Sequence, residues 1–227
     1  MKSNQKGFTL VEIAIVLVII GLLLGGILKG QEMIVQAKIK NAITDYSGVS
    51  AAYFGYQDRY RFTPGDDSQA SRWTTPTAAT PGDGNRVLTG LYSPAAATDE
   101  TALWWDHLRR SGFVSGSGTA NPNNAFNGIL GVQTGDGSAT TGASPSTPVA
   151  TLTGGAIGFT ALIMCSTNLP DKVAIALDVQ MDDGLLTSGF VRGVSGTGAV
   201  TMNASAGNAA ASYVETGTSF YTLCRQF

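Results

Sequence analysis

The sequence predicts an α+β protein: a long amino-terminal helix, its first half transmembrane and its second half amphipathic, packed on a small antiparallel sheet in a loop-rich globular head. Three observations carry this. Residues 8–28 read FTLVEIAIVLVIIGLLLGGIL, with Glu12 as their only charge; at 1.5 Å per residue such a helix nearly matches a ~30 Å hydrocarbon core. Further on, Val35, Ile39, Ala42, Tyr46, Val49, Tyr53, Tyr56 and Tyr60 recur at alternating spacings of 4 and 3, which places them in one stripe on a helix. Beyond Pro64 the chain is broken repeatedly by Pro-Gly and Asp-Gly turns, and short strand-like runs gather toward its carboxyl end.

Composition narrows the function before any motif does. Lys+Arg number 14 against 16 Asp+Glu, a net charge of −2, and only 13% of residues are charged, so no basic surface exists to make nucleic acid the main partner. Glycine supplies 29 of 227 residues, well above the usual ~7%, which favours loops, while 43% hydrophobic content excludes a wholly disordered chain. One His and two Cys, with no HExxH, CxxC or GxSxG pattern, leave few parts for metal-dependent, redox or nucleophilic catalysis. No catalytic residue is expected.

The apolar run has two readings, a spanning helix or a cleaved secretory signal led by Lys2 and Lys6. The first is favoured. The run exceeds the 7–15 residues of a signal core, no small-x-small site follows it, and QEMIVQAKIKNAITDYSG continues the helix without a break. Glu12 sharpens the question, because an acid inside an apolar span costs roughly 2.5 kcal/mol or more and such acids usually have a cationic partner. No Lys or Arg lies between Lys6 and Lys29. Either the carboxylate reaches the interface, or its partner comes from another chain, a lipid, or an amino group created by proteolysis nearby.

The stretch KGFTLVEIAIVLVIIGLLL closely resembles the class III leader and first helix of type IV pilins and type II secretion pseudopilins. The resemblance implies that residues 1–7 are a leader removed by prepilin peptidase between Gly7 and Phe8, and that the new Phe8 amino group is methylated. It implies a transmembrane and later filament-core helix over 8–30, an amphipathic continuation over 31–62 and a head over 63–227. It further implies that Glu12 pairs with the terminal amine of a neighbouring subunit, driving self-assembly into a helical filament. The implied partners are prepilin peptidase, the inner-membrane assembly machinery and membrane lipid. The implied location is the inner membrane, single-pass, before assembly, and an extracellular filament or a periplasmic pseudopilus afterwards. Lys29 stands where many relatives carry proline; Gly21, Gly25, Gly26 and Gly30 are either a substitute that lets the helix extend or melt, or a close-packing surface.

Within the head, the first helix is expected to end before Pro64, whose ring disfavours helix in the residue before it, and TPGDD reads as a turn. Little secondary structure is expected over 63–94. ATDETALWWDHLRRSG then signals a short helix, with Thr98 or Asp99 as cap, Asp99 and Glu100 in the first turn, Arg109 and Arg110 in the last and Gly112 beyond. Its buried face is predicted to hold Leu103, Trp104, His107 and Leu108, the histidine as a packing residue. Residues 116–155, whose only charge is Asp136, read as a long surface excursion. Strands are predicted over 156–165, 189–194, 212–215 and 220–224. Residues 170–181 alternate like a strand but open on Pro170 and carry alanines, and are assigned to helix.

With the head outside the cytoplasm, as the resemblance implies, Cys165 and Cys224 are expected to form a disulfide; two buried free thiols are the alternative. Such a disulfide resembles pilins more than most pseudopilins. Asp178, Asp182 and Asp183 gather before Gly184 at a helix carboxyl end, where negative charge is unfavourable. They are either Ca²⁺ ligands, although the spacing is not that of an EF-hand, or a solvated turn capped by backbone or Arg192. No other cofactor is expected. The sequence thus reads as a structural subunit of a type IV pilus-like filament. The alternatives are a type II secretion pseudopilin or minor pilin acting in export, and a membrane-anchored adhesion or binding domain that does not polymerise.

Overall fold

Helix α1 spans Leu10–Tyr60 in the computed structural model, which describes residues 7, 9–94, 96–134, 159, 161–196 and 212–227. Arg61 closes the helix in the left-handed region at φ 64°, its amide bonded to the Gln57 carbonyl, and Pro64 prevents continuation. The chain divides into two compact units, Met1–Lys38 and Ile39–Phe227. In the first, the apolar side chains of α1 from Leu10 to Val35 are exposed, and the helix runs unbroken through Gly21, Gly25, Gly26 and Gly30. Among the described residues α1 is the one helix long and apolar enough to cross a membrane.

The second unit holds the remainder of α1, a 3₁₀ turn at Ala70–Arg72, α2 over Glu100–Arg110, β1 over Leu130–Thr134, β2 over Leu162–Pro170, α3 over Asp171–Met181, β3 over Val191–Ser195 and β4 over Phe220–Gln226. The four strands form one sheet in the order β1-β2-β4-β3, with every pairing antiparallel. The predicted mixed architecture, a long helix with a small antiparallel sheet, is the one observed.

The 4-and-3 stripe packs on this sheet from Ile39 onward. Tyr46, Val49, Ala52 and Tyr56 join Trp104, Trp105, Leu108, Val132 and Met164 in one core. Ile39 and Ala42 join Leu169, Val173, Leu177, Tyr221 and Leu223 in a second. Tyr46 also donates its hydroxyl to the Leu223 carbonyl at 2.9 Å, so a ring that buries area keeps a partner for its polar end. Successive β2 residues face opposite sides: Met164 lies in the α1 core, while Ile163 and Cys165 pack with Tyr92, Phe159, Val194 and Cys224 in a third cluster. The stripe is not buried to its ends; Val35 is exposed, and Tyr53 and Tyr60 are half-buried.

Several sequence expectations need correction. The 116–155 segment is not all excursion, since β1 lies inside it; residues 135–155 fall outside the described residues. The strand escaped prediction because LGVQT is five residues long and carries a glycine and a glutamine within a Gly- and Asn-rich stretch. A Cβ on Gly131 would sit 1.8 Å from the Tyr92 carbonyl oxygen, so close packing displaced β-propensity here. The strand expected over 156–165 is β2, shifted along the chain. It runs through the polar Ser166-Thr167-Asn168 by means of a register shift between Ser166 and Leu169, with Asn168 at φ 60°; residues 156–158 and 160 are outside the described set. Residues 212–215 form no strand; there the Val214 amide is taken by the Tyr221 hydroxyl at 2.8 Å in place of a ladder partner. The segment 170–181 is helical, as assigned, with Pro170 as the residue before the first turn.

Candidate functional site

The amino-terminal site is built by four residues, TLVE. The Thr9 amide and hydroxyl both donate to Glu12 Oε2 at 2.8 Å, and the Glu12 amide donates back to Thr9 Oγ1 at 3.3 Å. This is a reciprocal capping box, and it explains why α1 starts at Leu10. Glu12 therefore stabilises the first turn of its own helix, and the T-x-x-E spacing that reveals it was open to reading in the sequence. Gly7 is exposed; Phe8, the expected methylation position, lies outside the described residues.

In the head, Cys165 and Cys224 are disulfide-bonded, facing one another across β2 and β4. Asp178, on the last turn of α3, is fully buried; its Oδ2 accepts the Tyr213 hydroxyl at 2.6 Å. Asp182 Oδ2 accepts the Val191 amide at 2.7 Å. Asp183 accepts the Leu185 amide at 2.9 Å and the Ser188 hydroxyl at 2.6 Å. The three aspartates singled out from the sequence do come together, each with a carboxylate oxygen within 4.8 Å of the others. Burial, reinforced by the neighbouring Asp183 and Asp182 charges, pushes the Asp178 carboxyl up to about 6 against the pull of the Tyr213 hydrogen bond.

A second polar assembly went unforeseen. TPGDD is more than a turn, because Asp66 and Asp67 are both buried. Asp67 receives a two-pronged contact from Arg72 at 2.8 and 3.0 Å and the Tyr56 hydroxyl at 2.5 Å. Asp66 accepts the amides of Gly84, Asn85 and Arg86 at 2.6, 3.1 and 2.6 Å. Glu100 accepts the Asp83 and Thr89 amides at 3.0 and 2.8 Å. Asp66, Asp83 and Glu100 also converge, but loop amides take up their oxygens, and the assembly ties the loop between α1 and α2 onto both helices. Gly65 is required in it: φ is +83°, and a Cβ would lie 2.2 Å from the Glu100 carbonyl oxygen.

His107 is buried as predicted. Its Nδ1 accepts the Gly65 amide at 2.9 Å, which fixes the neutral tautomer with Nε2–H donating to the Thr80 carbonyl at 2.9 Å. Burial holds its pKa below the ordinary histidine value. The unfolded chain then binds the proton more readily, so this residue's contribution is complete above about pH 6.5 and declines as pH falls below it. Urea midpoints of the parent and His107→Gln should show the gap between them narrowing from pH 7 to pH 5; a constant gap would show that His107 titrates normally.

Comparison with known proteins bears on the amino terminus. Residues 2–28 match the family model of the prokaryotic N-terminal methylation motif. The chain carries the class III prepilin leader of type IV pilins and pseudopilins. No curated protein and no solved structure matches the chain. The prepilin leader and the apolar helix that follows it fit a precursor anchored in the inner membrane, and the leader implies processing by prepilin peptidase and filament assembly in general terms.

Proposed function

We propose that this chain is a structural subunit of a type IV pilus-like filament, cleaved between Gly7 and Phe8 and methylated on Phe8. The observation that carries the reading is the prepilin leader joined without interruption to an exposed apolar helix whose only early charge is Glu12. In the membrane, lipid covers the apolar side chains of residues 8–28. On extraction, the same side chains pack against those of neighbouring copies, which offsets the loss of lipid contact. Glu12 then exchanges part of its bonding to Thr9 for the terminal amine of a neighbour, and this charge pair sets the register between subunits. The Cys165–Cys224 disulfide favours the pilus over the secretion pseudopilus, because it staples the carboxyl-terminal strand of a loop-rich head exposed outside the cell.

Mass spectrometry of the amino-terminal peptide, from membranes and from sheared surface material, tests this. A methylated peptide beginning at Phe8 and abundant in the sheared fraction is expected. Its confinement to membranes would favour a pseudopilin or minor subunit, and an intact Met1 would overturn the processing itself.

A further inference from the structure

We propose that the cleft between the last turn of α1 and loop residues 84–86 binds an acidic sugar, whose carboxylate is held between Arg61 and Arg86. The proposal does not depend on the filament reading. The cleft has a volume of about 370 Å³, and its walls include Gln57, Arg61, Phe62, Asp66 and Arg86. That size lies near the lower end of the about 300–1,000 Å³ of ligand pockets and accommodates one sugar ring.

The backbone gives the first indication. Among the described residues, four other than glycine have positive φ. Two are Asn127 and Asn168, of a type enriched in this conformation; the others are Arg61 and Arg86, which are not. Both arginines line the cleft. Arg61 closes α1 at φ 64°, and Arg86 stands at φ 70° with its amide held by Asp66 Oδ2 at 2.6 Å. Glycine or asparagine would serve either backbone at lower cost. What arginine adds at both places is its guanidinium.

Those guanidinium groups are uncommitted. Among the described residues the Arg86 side chain has no hydrogen bond or ion pair, and Arg61 has one loose contact, with Asp58 at 3.7 Å, between side chains 80% and 84% exposed. Arg72 and Arg110, by contrast, are tied to Asp67 and Asp106 at 2.8 and 2.6 Å. Asp66 directs its oxygens to the amides of Gly84, Asn85 and Arg86, which disperses its charge over backbone donors. Two guanidinium forks on fixed backbone beside one cleft suit a carboxylate, which accepts paired N–H bonds.

The other walls select what carries the carboxylate. Phe62 is anchored on the α1 core and offers an aromatic surface to the apolar face of a sugar ring. Gln57 donates its amide nitrogen to the Tyr53 hydroxyl at 2.6 Å, leaving its carbonyl oxygen to accept from a sugar hydroxyl.

The test titrates the full chain in detergent with trigalacturonate by calorimetry at low salt, and repeats this with the methyl ester of the sugar and with inorganic phosphate as competitor. Trigalacturonate should bind, and the uncharged ester should bind about tenfold or more weakly. Phosphate should compete only at much higher concentration. Arg86→Gln keeps the amide that Asp66 holds, so it should retain the unfolding midpoint and lose about tenfold or more in affinity. Asp58→Asn removes the carboxylate that competes for Arg61 and should tighten binding severalfold, a gain that damage to the fold does not produce. The proposal is overturned by absence of binding in the parent, equal binding of the ester, phosphate competing on equal terms, undiminished binding by Arg86→Gln, or no gain in Asp58→Asn.

Discussion

Glu12→Gln should leave the subunit inserted and processed but nearly unable to form filaments. Glutamine can still serve at the third position of a capping box, so the Thr9–residue 12 contacts that start α1 survive while the negative charge is lost. In the proposed assembly that charge meets a neighbour's amine among apolar side chains, where removing one member of a pair costs about 3–5 kcal/mol. This corresponds to about two orders of magnitude or more in each association step. Thr9→Val reverses the dissection: it removes the cap, worth about 1 kcal/mol, and retains the carboxylate, so filaments should persist. Sheared-surface yields and the amino-terminal peptide mass, read side by side, separate failed assembly from failed processing. Normal yields from Glu12→Gln would remove the ion pair from the assembly mechanism, and loss of filaments in Thr9→Val alone would assign the importance of this turn to helix initiation.

Legibility followed the strength of local constraint. Helix α1 was readable almost to the residue because a continuous apolar run, an uninterrupted stripe and a proline stop all agree. α2 was equally clear from Asp99 to Gly112, although Asp99 spends a carboxylate oxygen on the Ala96 amide at 3.0 Å and no side-chain bond caps the helix. β1 was invisible because its pairing depends on close approach at Gly131, a tertiary fact without local periodicity. The polar middle of β2 was hidden for a related reason: Asn124 donates to Ser166 Oγ at 2.9 Å and to the Thr167 carbonyl at 2.7 Å, a distant side chain satisfying what a regular ladder would otherwise supply. The meeting of Asp178, Asp182 and Asp183 was legible from their place around the carboxyl end of a helix. The roles of Asp66 and Asp67 were not, since PGDD is turn chemistry in either case and only the fold decides whether an aspartate faces water or is buried against an arginine and loop amides.

Breaking the disulfide should have the largest effect on the stability of the head. Cys165 and Cys224 are separated by 59 positions, and closing a loop of that size in the unfolded chain contributes about 4 kcal/mol in the chain-entropy account. The topology makes this contribution hard to replace. β4 enters the sheet between β2 and β3 and is the last strand of the chain, so its pairing on both sides must be recovered after a long closure. Both cysteines are fully buried, among Tyr92, Phe159, Ile163 and Val194, so a reductant should act slowly on the native protein and fast once it is unfolded. Replacing both with alanine avoids burying a hydroxyl, and the full-length Cys165→Ala/Cys224→Ala variant should unfold roughly 8–16 °C below the parent. Its urea dependence should also steepen, because an uncrosslinked unfolded chain exposes more surface. An unchanged slope with a lowered midpoint would place the loss in native packing around the two sulfurs instead of in chain entropy. An unchanged midpoint would mean that sheet pairing and the α1 stripe hold the carboxyl-terminal strand without the covalent link.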